Sequence, residues 1–180
     1  MRKWNGILTA VILALFLLHG ILGGFQLLGV GSTALKTIAW GNVGLILIHT
    51  VIGLRLTAHT LKVWKRTGVS YFKENKLFWA RRISGFAIMA LLVFHRIAFS
   101  STGTGGGYRL PWFTGARLAA QILLVAAIAL HVITNVRPML ITFGIRSLRR
   151  WMGDVLLVLA VLLLFMAGAF IVYYLRWNVF

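Results

Sequence analysis

The stretch ILIHTVIGLRLTAHTLKVWKR (residues 46–66) decides the fold. Its apolar run carries His49, Gly53 and Arg55 before breaking into Lys62, Lys65 and Arg66. The run is long enough to cross a bilayer as a helix, yet it holds an imidazole and a guanidinium. Polar groups in hydrocarbon are costly unless paired, so such residues are functional candidates by default. Similar apolar stretches recur along the chain. Spans fall at about 7–30, 37–61, 83–101, 114–136 and 153–175. Backbone N–H and C=O groups in lipid must be satisfied within the segment, so these spans are helices. The expected fold is an all-α integral membrane protein of five transmembrane helices, one domain over residues 1–180, with four helices forming a bundle.

Composition supports this. The 180 residues are 60% hydrophobic, with 19 Lys+Arg against 2 Asp+Glu. A soluble domain with that apolar content could not cover its own surface. A net charge of +17 would suit nucleic acid, but the basic residues sit in short connections between apolar runs. That placement is the positive-inside pattern, and no nucleic-acid partner is expected. The connection 62–82 holds Lys62, Lys65, Arg66, Lys73, Lys76, Arg81 and Arg82; the connection 137–152 holds Arg137, Arg146, Arg149 and Arg150. The opposite side has only Lys36, Arg109, Arg117 and Arg176 near span ends. The asymmetry puts the N-terminus in the cytoplasm and the C-terminus outside, in a multi-pass protein of the prokaryotic cell membrane. Residues 1–24 begin basic and turn apolar, but no A-x-A site closes them, so they read as a retained first span. The outer segment STGTGGGYRLP (101–111) follows no strand, so its glycines are not a nucleotide fingerprint. With no cysteine, an iron–sulphur cluster or zinc–thiolate site of its own is excluded.

Each of the first four spans holds one deep histidine: His19, His49, His95 and His131. At 1.5 Å per residue, His19 lies about 20 Å from Gly6 and His95 about 20 Å from Arg82, both measured from the cytoplasmic side. His49 lies about 20 Å from Lys36 and His131 about 21 Å from Arg117, measured from the outside. In a core roughly 30 Å thick, His19 and His95 form an outer pair, and His49 and His131 an inner pair. Opposed imidazoles at one depth are what a six-coordinate haem iron requires, since the porphyrin supplies the other four nitrogens. Two such layers make two haem b groups. A faint internal repeat agrees: the runs at His19 and His49 resemble those at His95 and His131, as if helix pairs 1–2 and 3–4 were copies of one hairpin.

Gly23 and Gly53 each follow a histidine by one helical turn, where a missing Cβ would admit a flat macrocycle; close helix packing is the other use of such glycines. Arg55 and Arg137 each lie six residues after an inner histidine, about 9 Å nearer the cytoplasm. There they would meet haem propionates or else reach to lipid headgroups. His59, near the inner surface, is an alternative partner for His131, but it lacks the Gly and Arg companions. Apart from Asp154 at the very start of span 5, no carboxylate lies within a span, so any proton exchange with a quinone would use water or a neutral group such as Gln26 or Asn42.

The run H-T-V-I-G-L-R (49–55) resembles the H-x-x-x-G-[I/L]-R motif of the cytochrome b membrane subunit of succinate dehydrogenases and fumarate reductases. The second histidine that often follows the Arg in that family is Leu56 here. The five-span, four-histidine layout is similar to the two-haem branch, and the resemblance implies axial ligation by His19 with His95 and by His49 with His131. It further implies an FAD flavoprotein and an iron–sulphur subunit docked on the cytoplasmic face. A membrane quinone, with menaquinone expected, would be the substrate, and the haems would carry electrons between it and the dicarboxylate enzyme. Two other readings stand beside this one: a haem b subunit of a hydrogenase or formate dehydrogenase, and a haem-free membrane transporter or assembly factor whose histidines line a proton or metal path. The basic loops suit subunit docking and attraction to anionic lipid equally.

Overall fold

The computed structural model describes residues 2–30, 35–68, 76–99, 112–145 and 147–179. These form five helices: α1 (Arg2–Leu27), α2 (Leu35–Thr67), α3 (Lys76–Ala98), α4 (Gly115–Thr142) and α5 (Leu148–Asn178). Among the described residues there is no strand, and all five helices are long and apolar enough to cross a membrane.

The helices overrun the expected spans on the basic side. Residues 62–67 continue α2, and Lys76, Arg81 and Arg82 begin α3, so the connection expected at 62–82 shrinks to 68–75. Likewise α4 runs through Pro138 to Thr142 instead of ending near 136. Lys and Arg are good helix formers, and once nucleated in an apolar run a helix propagates outward through them. Glycines close helix C-termini on both sides. Gly29 (φ +105°) and Gly144 (φ +75°) adopt the left-handed conformation that closes a helix C-terminus. Around each, two reversed bonds form: Gly29 N–H to the Gln26 carbonyl and Val30 N–H to Phe25, then Gly144 N–H to Ile141 and Ile145 N–H to Leu140. The outer segment expected at 101–111 lies outside the described residues, as do Lys73, Glu74 and the side chain of Lys36.

Pro138 lacks an N–H, so it leaves the carbonyl of Thr134, four residues back, without its helical donor. Arg81 of α3 supplies the replacement: its Nε donates to the Thr134 carbonyl at 2.9 Å. A helix interruption in an apolar setting is tolerated where a neighbour re-satisfies the freed group, and here α3 does so.

The helices alternate in direction. Gly6 at the start of α1 faces Thr142 at the end of α4, and Leu27 at the other end of α1 packs with Ala98, Phe113 and Tyr173. Helix α3 packs most extensively on α4, and α5 lies against α4 and α1. Helix α2 leans on α1 and touches α3 lightly. The buried positions of α5 are Leu159, Leu163, Met166, Ala169 and Tyr173, one stripe at helical spacing. Its opposite face exposes Leu157, Val161 and Leu164, as a lipid-facing surface does. Helix α1 meets that stripe through glycines: a Cβ on Gly20 would strike Met166, and one on Gly24 would lie 2.5 Å from Phe165 Cε1. Small residues let the two backbones approach closely.

Candidate functional site

The four deep histidines meet in two pairs. The His19 and His95 ring centroids are 6.1 Å apart with planes at 75°, and those of His49 and His131 are 6.5 Å apart with planes at 90°. His95 lies beside Gln121 of α4, and Ser84 of α3 lies beside His131. From Ser84 to His95 is 11 residues along α3, and from Gln121 to His131 is 10 along α4. Both measures put the two pairs about 15–17 Å apart along the bundle axis. Two levels therefore exist, with α1 facing α3 at one and α2 facing α4 at the other. His59, the alternative partner, is exposed on α2. The imidazole opposite His131 is His49.

In each pair the imidazole on α3 or α4 is oriented by a hydrogen bond. His95 Nδ1–H donates to Gln121 Oε1 at 2.7 Å, and Gln121 is fully buried. His131 Nδ1 lies 3.1 Å from Ser84 Oγ, whose own hydroxyl donates to the Arg81 carbonyl, so Ser84 accepts from Nδ1–H. A donor at Nδ1 fixes the tautomer and leaves the Nε2 lone pair free. This is the arrangement a ligating histidine uses, with the ring anchored through its far nitrogen. His19 and His49 differ, since their buried Nδ1 atoms have no partner among the described residues.

The level of His19 and His95 opens into a cavity of about 110 Å³ whose walls include Gly23, Gln26, Phe99 and Met166. A second cavity of about 370 Å³ adjoins it through Gln26 and Leu27 and reaches Tyr173, Arg176 and Trp177. At the other level, Gly85 lies beneath the His131 ring, with space for a Cβ only 3.4 Å from Cε1.

Of the other expected site residues, Gly23 lines the cavity. Gly53 faces α3, where a Cβ would lie 3.3 Å from Arg82 Nη1. Arg55 and Arg137 are exposed. The guanidinium drawn against the His49 level is that of Arg82, stacked on Phe78 at 5.0 Å. Gln121, Ser84, Gly85 and Arg82 were not anticipated. Gln121 carried a signal, being a lone amide inside the apolar fourth span. Arg82 did not, since it reads as part of a basic loop.

Among the described residues, no three His, Cys, Asp or Glu side chains gather to hold a bare metal ion. A porphyrin iron needs only two axial ligands from the protein, which each histidine pair can supply. The fit can be tested on distance. With iron–nitrogen bonds of about 2.0 Å and about 1.1 Å more to each ring centre, two axial imidazoles have centroids about 6.2 Å apart. The observed 6.1 and 6.5 Å bracket that value.

The fold and site thus define a class: an all-helical bundle of five helices able to cross a membrane, with two stacked imidazole pairs inside. The chain matches no family model, no curated protein and no solved structure.

Proposed function

We propose that the chain is a two-haem cytochrome b membrane anchor of a succinate dehydrogenase or fumarate reductase-like complex, exchanging electrons with a membrane quinone. One observation carries the haem part: two imidazole pairs at iron-bridging separation, stacked on separate levels. His19 with His95 and His49 with His131 would hold the two groups. A haem held by these histidines would supply reversible one-electron transfer.

The chain's own residues do the rest. Gln121 and Ser84 hold His95 and His131 with Nε2 free, so no donor need be displaced before ligation. Phe99, Met166 and Phe170 wall the His19 level with apolar surface. Gln26, shared by the two adjoining cavities, supplies a neutral donor and acceptor at the end where a quinone headgroup would exchange its protons. The buried Asn42, whose Oδ1 has no partner among the described residues, is a second polar group of that kind on α2.

The choice of complex rests on the resemblance of His49–Arg55 to the family motif. In this reading the N-terminus and the basic helix ends face the cytoplasm, where the flavoprotein and iron–sulphur subunits dock. The reduced-minus-oxidised spectrum of the purified chain tests the haem part, with two b-type haems per chain expected. His49→Ala and His131→Ala should each remove the same haem, and His19→Ala and His95→Ala the other. Loss of different haems from the two members of a pair would refute the pairing. Co-purification with a flavin-containing subunit tests the partner; a nickel- or molybdenum-containing partner would point to a hydrogenase or formate dehydrogenase instead.

A further inference from the structure

We propose that Arg82, and neither Arg55 nor Arg137, is the cation that binds a propionate carboxylate at the His49–His131 level, an inference that rests on the haem reading. Arg82 is half-buried on α3, and its Nε is buried with no hydrogen-bond partner among the described residues. Its guanidinium lies against Gly53, one turn from His49, and within electrostatic reach of both imidazoles of the pair. It is two residues from Ser84, which orients His131.

A half-buried guanidinium in an apolar bundle needs a counter-anion. The chain scarcely has one to give. Of its two acids, Asp154 is exposed on α5, and Glu74 lies outside the described residues. The neighbouring Arg81 is already committed, through Nε, to the carbonyl freed by Pro138. Arg82 is therefore the guanidinium left with donors to spare beside the imidazoles, while Arg55 and Arg137 stay exposed and solvated or lipid-facing. Its ligand is an anion with oxygens in a plane or a tripod, a carboxylate or a phosphate, which a guanidinium takes in bidentate fashion. The position beside the histidine pair favours the carboxylate of a porphyrin held there; a lipid phosphate is the other source.

The test uses the full chain isolated with its native partners, as wild type, Arg82→Gln, Arg82→Lys, Arg55→Gln and Arg137→Gln. Haem-to-protein ratio and the midpoint potential of each haem are read across pH, in nanodiscs of phosphatidylcholine with and without phosphatidylglycerol. A nearby cation favours the more negative reduced site and keeps a carboxylate ionised. Arg82→Gln should therefore lower the potential of one haem and give it a new pH dependence, in both lipid compositions, or release that haem alone. The other haem should be unchanged, and Arg82→Lys should fall between. A potential that moves only in discs containing phosphatidylglycerol would assign Arg82 to lipid and overturn the inference. So would unchanged potentials in Arg82→Gln, a shift confined to Arg55→Gln or Arg137→Gln, or equal loss of both haems in Arg82→Lys. Those results leave the haem reading standing, whereas a wild-type chain without porphyrin absorbance removes both.

Discussion

Replacing Gln121 with leucine removes the acceptor of His95 Nδ1–H while nearly conserving side-chain volume. In the structure that bond is 2.7 Å long and Gln121 has no exposed surface, so water cannot step in. Leaving a buried donor unpaired costs roughly 1–3 kcal/mol. The substitution also deletes Gln121 Nε2, itself buried without a partner. The two effects offset in the haem-free fold, and its stability should change by less than about 1 kcal/mol. Ligand binding has no such offset, because the free ring loses both its orientation and its fixed tautomer. Loss of a partner that orients a metal-ligating histidine typically weakens binding by about 10- to 100-fold, or about 1.4–2.7 kcal/mol. The assay is titration of haem into the apo-chain in detergent, followed by absorbance, beside thermal unfolding of the apo-form. The expected result is a tenfold or larger loss of affinity for one of two haems, with the other unchanged. Equal weakening of both haems would mean that Gln121 acts through the fold at large. No weakening of either would refute the claim that its hydrogen bond readies His95 for ligation.

Two further outcomes test the packing. Gly24→Ala places a methyl 2.5 Å from Phe165 Cε1 and 2.8 Å from Cζ, so α1 must shift from α5 or the ring must turn. A loss of about 1–3 kcal/mol is expected in thermal or denaturant unfolding, whereas the same change at Gly153, which has open space around it, should be near neutral. The exchange of the Thr134 carbonyl between donors is open to a double-mutant cycle. Arg81→Met alone strands that carbonyl, but in a Pro138→Ala background the restored N–H at position 138 can take it. The cost of Arg81→Met should fall by about 0.5–1.5 kcal/mol in that background, and additive effects would show that Arg81 does not serve that carbonyl.

The five helices were legible because span length and hydrophobicity are local properties, and so was the sorting of histidines by depth. His19 does face His95 and His49 does face His131, as counting 1.5 Å per residue from each span end requires. Helix ends were less legible. Basic residues that mark the edge of the apolar run do not end a helix, so α2 and α4 pass their expected limits and α3 begins early. Helix α4 continues through Pro138, and Arg81 on another helix meets the carbonyl that the proline leaves free.

The sequence alone therefore determined an apolar chain of five spans with four histidines at two depths, since these depend on hydropathy and on a fixed rise per residue. Tertiary structure alone decided what surrounds the imidazoles. Gln121, Ser84, Gly85 and Arg82 reach the site by helix rotation and by the lateral packing of α3 on α4. Depth along a helix follows from counting residues, but the facing of one helix toward another is set by the summed packing of all its neighbours.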